Sequence, residues 1–287
     1  MRYFSMFSGI GGFEEGIRRV DEKAKCVGFS EVDKYAIKVY QSHFPGHKNY
    51  GDATRIVPSE LPDFDVLVGG FPCQAFSIAG TRLGFEDTRG TLFFDIARIL
   101  REKKPRLFVL ENVKGLLSHD NGRTFKTIIT TLVELGYSVE WQVLNSKNHG
   151  VPQNRERVFI IGHLGGFGGR EVFPIGTRNS DDVEKRRIIQ INKPNHAGYR
   201  KYSEKGISPN LRARDRGDEH STPRIEIGTR IRRLTPVECE RLQGFPDGWT
   251  AVVSDSQRYK CLGNAVTVNV ISAIFKRLAN HKEGMWK

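Results

Sequence analysis

Hydrophobic positions along this chain alternate between two spacings, and the alternation predicts strands interleaved with helices. Strand-like runs fall at Tyr3–Phe7, Lys25–Ser30, Val66–Val68, Leu107–Leu110, Tyr137–Leu144 and Val158–Ile161. They are short, rich in β-branched and aromatic residues, and bounded by glycine, proline or polar clusters. Between them, helical spacing marks Phe13–Val20, Lys34–His43, Thr91–Glu102 and Gly122–Leu135. Strands that alternate with helices in this way predict an α/β domain built on a doubly wound, mostly parallel sheet. Near the end, Arg232–Gln243 returns to a helix pattern, with Thr235 as cap, Pro236 at the first position and Glu238 three residues past the cap. Tyr259–Val266 reads as a turn into a last apolar helix, Thr267–Leu278.

The periodicity fails between these parts. Gly165–Gly169 reads as a junction, and residues 170–230 are polar, basic and weakly periodic. Two domains are therefore expected: residues 1–164, completed by 255–287, and a smaller inserted domain at 165–254. Charge sharpens this division. The chain of 287 residues carries a net +12, of which residues 1–160 hold +3 and residues 161–287 hold +9. A basic second half points to a polyanionic partner, although a soluble basic surface has the same composition. Arg200–Gly206 and Arg212, Arg214 and Arg216 interleave cations with hydroxyls and an aromatic ring, a mixture suited to phosphate contacts. A disordered insertion would share that composition.

With 38% hydrophobic and 27% charged residues, and no apolar run near the roughly 20 residues of a membrane helix, the chain is expected to work away from membranes. Its first residues lack the apolar stretch of a signal peptide, so a cytoplasmic location is expected. Cys26, Cys73, Cys239 and Cys261 form no Cys-x-x-Cys pair, which disfavours a metal site and a disulfide framework. They are expected as free thiols, and one of them is then available as a nucleophile.

Cys73 is the best placed. It follows Val66–Val68, two glycines and Phe71-Pro72, so proline stiffens the corner that leads to it. The alternative is a small buried hydrophobe, the commonest state of a free cysteine. The segment Phe76–Gly90 that follows is long, polar and punctuated by Gly80, Gly84 and Gly90, like a lid over a site. Ser8–Gly12 supplies a glycine-rich turn between strand and helix, which lets a ligand approach the backbone. Its spacing is not that of a dinucleotide fingerprint. Glu31, about 20 residues beyond the turn, stands where such folds hold a ribose. A surface acid capping the next helix reads equally from the residues, and Asp33 suits that cap. Asp52 in Gly51-Asp52-Ala53 is a further acid in a turn, and Glu111 ends a buried strand beside the Cys73 segment. Arg155 and Arg157 open the last strand of the sheet, either as ordinary surface charge or as a clamp on a polar ligand.

Taken together, these residues resemble the DNA cytosine-5 methyltransferases, specifically the compact bacterial enzymes of restriction–modification systems. The likeness rests on six motifs in the family's order: Phe7–Gly12, Gly70–Gln74, Glu111-Asn112-Val113, Gln153–Arg157, Arg233-Leu234-Thr235 through Gly244-Phe245-Pro246, and Gly263-Asn264-Ala265-Val266. Only about 165–230 lies outside it. The resemblance implies a fold of the S-adenosylmethionine-dependent methyltransferase type, with residues 1–164 and 255–287 as catalytic and cofactor-binding domain. Residues 165–254 become a DNA target-recognition domain inserted before the C-terminal helix. It implies S-adenosyl-L-methionine as cofactor, S-adenosyl-L-homocysteine as product, and methyl transfer to carbon 5 of a cytosine flipped out of double-stranded DNA.

Residue by residue, the resemblance implies Cys73 as the nucleophile, Glu111 as proton donor to ring nitrogen 3, and Arg155 and Arg157 as holders of the base's oxygen. Phe7, Gly9, Ile10 and Gly12 would line the cofactor's methionine end, Glu31 its ribose, and Val32, Asp52 and Ala53 its adenine, with Pro72, Asn264 and Val266 closing the pocket. Phe71, Gln74, Ser77, Arg89, Asn210 and Leu211 would touch the substrate, and no metal is implied. A monomer is expected, with a cognate restriction endonuclease acting on the same site without contacting it. Two positions depart from the family's pattern. Val32 stands where some members carry an aromatic against adenine, and Asn210 where a threonine is usual. A transfer-RNA cytosine-5 methyltransferase, a catalytically silent DNA-binding homologue and a nicotinamide-dependent dehydrogenase are the alternatives. The length of the basic region opposes the first, Cys73, Glu111 and Arg157 together oppose the second, and the Cys73 constellation opposes the third.

Overall fold

Period-two alternation sorts the strand side chains onto two faces, and each face is covered by its own helices. In the computed structural model, which describes residues 1–72, 92–166, 171–175, 201–203, 206–211, 223–227 and 230–280, the first elements are β1 (Arg2–Met6), α1 (Gly12–Arg18), β2 (Lys25–Ser30), α2 (Lys34–His43) and β3 (Val66–Gly70). Then come α3 (Leu92–Lys103), β4 (Leu107–Val113), α4 (Arg123–Glu134), β5 (Tyr137–Asn145), β6 (Gln153–Asn154) and β7 (Glu156–Leu164). Short strands β8 (Lys201–Ser203), β9 (Ser208–Pro209), β10 (Arg224–Ile227) and β11 (Arg230–Arg233) precede α5 (Pro236–Gln243), α6 (Asp255–Asn264) and α7 (Val268–Asn280).

Phe4, Met6, Leu67, Phe108, Leu110 and Ile160 share one buried cluster with Phe93, Ile96 and Leu100 of α3 and Ile128 and Leu132 of α4. Their neighbours Tyr3, Val66, Val68, Leu107, Val109 and Ile161 face the other way, against Phe13 and Ile17 of α1 and Ile271, Ile274 and Phe275 of α7. Strands buried on both faces lose the polar half of the alternation, which explains their continuous apolar runs.

The main sheet has the order β2-β1-β3-β4-β7-β5. Strands β2, β1, β3 and β4 are parallel, whereas β7 runs antiparallel to both β4 and β5. The expected doubly wound, mostly parallel architecture is therefore found, with one reversed strand. No helix intervenes between β5 and β7 for a parallel crossover, so the chain turns back beside β5. The C-terminal ends of the four parallel strands and the start of β7 meet at one edge of the sheet, where open α/β sheets bind their ligands.

Two expected elements differ. The helix expected from Arg232 begins only at Pro236, because proline disfavours helical geometry in the residue before it and Arg232–Arg233 are extended in β11. Its capping box is present: Thr235 Oγ1 accepts from the Glu238 amide, and Glu238 Oε2 accepts from the Thr235 amide at 2.7 Å. The turn expected at Tyr259–Val266 is instead the second half of α6, with Gly263 in its last turn. Leu234, Leu242, Phe245 and Trp249, expected in the smaller domain, share a buried cluster with Ile10, Ala36 and Val39 of the first.

Candidate active site

The converging strand ends enclose a cavity of about 670 Å³. Thirteen of the residues singled out in the sequence line it: Phe7, Gly9, Ile10, Glu31, Val32, Asp52, Ala53, Phe71, Pro72, Glu111, Arg155, Arg157 and Asn264. Cys73, Gln74, Ser77 and Arg89, with the rest of the expected lid, lie outside the described residues. Gly12 and Val266 do not line the cavity. They pack on each other so closely that a Cβ on Gly12 would lie 2.7 Å from Val266 Cγ1. This packing lets the two segments that wall the cavity approach closely.

One end of the cavity is a backbone cradle. Phe7 is held at φ +54° and Gly9 at +56°, a left-handed geometry uncommon for phenylalanine, so surrounding contacts must hold it. Glu31 fastens the cradle to the end of β2. Its Oε2 accepts from the Gly9 amide at 2.9 Å, and its Oε1 accepts from the amides of Val32 and Asp33, both at 2.8 Å. Asp33 caps α2 through the amides of Tyr35 and Ala36 and meets Lys260 Nζ of α6 at 2.6 Å. Val32 is 69% exposed at the cavity rim. Asp52 accepts from the Thr54 amide and hydroxyl, and those bonds hold its carboxyl below the usual range.

The other end carries charge. Glu111 pairs in register with Gly70 of β3 and with Phe159 of β7. A Cβ on Gly70 would lie 3.1 Å from Glu111 Oε2, so glycine makes room for the carboxylate. Arg157 Nε meets Glu111 Oε1 at 2.9 Å. Burial raises the Glu111 carboxyl above its ordinary range, and the guanidiniums of Arg157 and Arg155 offset part of the rise. Asn112 beside it is buried, donating from Nδ2 to the Phe71 carbonyl at 2.8 Å, so the motif's amide fixes the corner that leads to Cys73.

Arg155 lines the same cavity but is held differently from Arg157. It is 2% exposed, and its terminal nitrogens donate to Asn210 Oδ1, the Leu211 carbonyl, the Gly263 carbonyl and the Ala265 carbonyl at 2.7 to 3.2 Å. Its buried Nε has no hydrogen-bond partner among the described residues. Arg155 thus clamps three chain segments together, and Arg157 is the arginine whose guanidinium reaches the carboxylate. Asn210 and Leu211, expected at the substrate, are the other half of that clamp: Leu211 is buried, and its amide donates to Gln153 Oε1 at 3.2 Å.

Burial pushes the thiols of Cys26, Cys239 and Cys261 up to about 12, so they stay protonated and unreactive at neutral pH. Among the described residues, no group of His, Cys, Asp and Glu could hold a metal, and no helix is long and apolar enough to cross a membrane.

Sequence reasoning assigned no role to Asn112, Gln153, Lys260 or Trp249. Asn112 and Gln153 lie inside quoted motifs, so their position was visible but not their partners. Lys260 and Trp249 meet residues 227 and 239 positions away, and no local pattern signals such contacts.

A glycine-rich cradle after β1, an acid at the end of β2 and a cavity of this size fit an adenosyl ligand with an amino-acid tail. Fold and site together define an S-adenosylmethionine-dependent methyltransferase. The S. pombe Dnmt2 methyltransferase shares the fold, with a TM-score of 0.78 over 99% of this chain and 100% of that one at 19% identity. The chain belongs to the C-5 cytosine-specific DNA methylase family, which it matches over residues 1–182 and 170–280. It is 40% identical to the Type II methyltransferase M1.ScrFI of Lactococcus lactis subsp. cremoris, over 96% of this chain and 77% of that protein. It is 38% identical to the Type II methyltransferase M.HhaI of Haemophilus parahaemolyticus, over 96% and 93%. The chain is accordingly a DNA cytosine-5 methyltransferase that uses S-adenosylmethionine.

Proposed function

We propose that the protein methylates a flipped-out cytosine within a specific duplex DNA site, with Cys73 as the transient covalent anchor. The observation that carries this reading is the Glu111–Arg157 pair at the strand edge, on the cavity that Pro72 also lines. In this reading Glu31 holds the cofactor's ribose and Asp52 its adenine, while Phe7, Gly9, Ile10 and Asn264 surround the methionine end. Bound there, the cofactor supplies an electrophilic methyl group.

The Cys73 thiolate adds to carbon 6 of cytosine, and the ring's electron pair moves toward carbon 5. Glu111 in its acid form donates its proton to ring nitrogen 3, and burial raises its pKa in the direction that favours that form. Arg157 holds the base's oxygen beside Glu111, and charge developing there is met by a donor already in place. Once carbon 5 carries the methyl, its proton leaves to water, the carbon 6–sulfur bond breaks to return the thiolate, and ring nitrogen 3 gives its proton back to Glu111. Extruding the base costs a few kcal/mol, offset by phosphate contacts from the basic second half.

The target-reading role is assigned to the basic stretch within 165–254. The segment from Leu234 onward, packed on Ile10, Ala36 and Val39, links that stretch to the cofactor cradle. A monomeric, cytoplasmic enzyme that forms the modification half of a restriction–modification pair completes the proposal, with the endonuclease reading the same site independently.

Duplex oligonucleotides containing 5-fluorocytosine test it, because fluorine at carbon 5 cannot leave as a proton. A covalent adduct with the wild type and cofactor, absent for Cys73→Ser, is expected in one sequence context. No adduct with any duplex, or an adduct only with a transfer-RNA stem, overturns the reading.

A further inference from the structure

Trp249 lies 239 residues from the cofactor cradle in sequence, yet its indole Nε1–H donates to the Ile10 carbonyl at 2.9 Å. Both side chains are buried, Trp249 at 3% exposure and Ile10 at 1%. The peptide whose carbonyl is held joins Ile10 to Gly11, and Gly11 sits at φ +87°. Within the loop, the amide of this peptide donates to the Ser8 carbonyl at 3.1 Å. The indole N–H holds the opposite, carbonyl end from outside the loop, so the peptide plane is fixed at both of its polar groups.

Trp249 is itself rigidly presented. Its ring stacks on His43 of α2, with centroids 3.6 Å apart and planes 9° apart, and lies 5.1 Å from the ring of Phe245. His43 Nε2 bonds its carbonyl at 2.7 Å. On both sides, the chain is gripped by Glu240, a wholly buried carboxylate of α5. Glu240 accepts from the amides of Gly248 and Thr250, from the Thr250 hydroxyl, and from Arg258 of α6 at 3.1 Å. A buried carboxylate with this many donors holds its loop in one geometry.

We infer that Trp249 is a positioning residue for the methyl donor: by fixing the Ile10–Gly11 peptide, it ties the shape of the cofactor cradle to the segment that follows the target-reading stretch. The inference rests on the proposed reading of Phe7–Ile10 and Glu31 as the cofactor's cradle.

Trp249→Phe keeps an aromatic ring between His43 and Phe245 but removes the donor, leaving the Ile10 carbonyl unpaired. The expected result is a roughly tenfold rise in the Kd for S-adenosylhomocysteine and in the KM for S-adenosylmethionine, the scale of one lost buried hydrogen bond. The kcat at saturating cofactor stays at the wild-type level. A variant that melts earlier but binds the cofactor with wild-type affinity overturns the inference, since a purely structural tryptophan behaves that way. Glu31→Ala, titrated in parallel, separates the two readings. Unchanged affinity in Glu31→Ala overturns the cradle itself, whereas loss there with none in Trp249→Phe overturns only the role of Trp249. Where Trp249→Phe does not fold, Trp249 is left as the sole tryptophan by Trp141→Phe with Trp286→Phe, and its emission is followed during titration with S-adenosylhomocysteine. A saturable change is expected, and none overturns the inference.

Discussion

Arg157 of β7 reaches Glu111 of β4 diagonally across an antiparallel seam. Arg157 sits opposite Val113, Glu111 sits opposite Phe159, and the two side chains meet on one face at 2.9 Å. The seam exists because β7 is reversed, so a parallel strand in its place would not bring this arginine to this carboxylate. Two effects then compete at Glu111. Burial raises its pKa, the neighbouring guanidiniums lower it, and burial prevails.

Glu111→Gln keeps a hydrogen-bonding side chain but has no proton to deliver. The methylation rate is expected to fall by about 10²- to 10⁴-fold, the range for a lost general acid, with cofactor affinity unchanged. Single-turnover kinetics beside a cofactor titration check this. Because the acid form is the active one, the wild-type rate should decline as pH rises through the raised Glu111 pKa. In Glu111→Gln that decline should be missing from the residual rate.

The two arginines should separate by what they damage. Arg155 joins three segments through its buried guanidinium, so Arg155→Lys cannot satisfy all the acceptors and should destabilise the fold by about 1–3 kcal/mol for each acceptor left unpaired. Arg157→Lys keeps a cation beside Glu111 but loses the planar fork, so it should lower turnover more than stability. Urea midpoints and kcat, measured on both variants, check the contrast. Equal losses of stability would contradict it.

How much was readable in the sequence follows the range of the interactions. β2 and α2 match the expected Lys25–Ser30 and Lys34–His43 because period and capping are local properties. Thirteen of the residues singled out line one cavity because motifs mark the strand ends that topology gathers at one edge. The resemblance set Arg155 beside Arg157 at the base's oxygen, and it carried no sign of the contacts that Arg155 makes with the rest of the chain. Its actual partners, Asn210, Leu211, Gly263 and Ala265, lie 55 to 110 positions away. The reversed β7 was equally hidden, since a buried strand has the same apolar pattern in either direction.

Asn112 offers a test of the corner before Cys73. Its Nδ2 donates to the Phe71 carbonyl, and its Oδ1 accepts from the Val113 amide at 2.8 Å. Asn112→Asp keeps the acceptor and replaces the donor by an oxygen facing the carbonyl. Adduct formation with 5-fluorocytosine duplexes should slow by roughly 10- to 100-fold, the kinetic equivalent of about 1–3 kcal/mol for an unpaired buried group. Cofactor affinity should remain that of the wild type, because the cradle lies at the other end of the cavity.

Glu14 should make stability depend on pH in the direction opposite to most carboxylates. It is wholly buried in α1, accepts from the Tyr40 hydroxyl at 3.1 Å, and has the Ser5 hydroxyl beside it. Tyr3, Ser5, Cys26, Tyr40 and His47 surround this pocket. Burial keeps the Cys26 thiol protonated, raises both tyrosines, and lowers His47 so that it favours its neutral form more than a free histidine does. Burial likewise pushes Glu14 up to about 7. An unfolded glutamate releases its proton near pH 4.3, so between there and about pH 7 the native chain holds a proton that the unfolded chain has lost. Stability contributed by the protonated form is complete below that window and falls as pH rises through it, by on the order of 3 kcal/mol. Glu14→Gln still accepts from Tyr40 and does not titrate. Its unfolding free energy in urea should match the wild type at about pH 4 and exceed it increasingly toward about pH 8. A constant difference between the two proteins across this range would show that Glu14 is ionised in the folded state throughout.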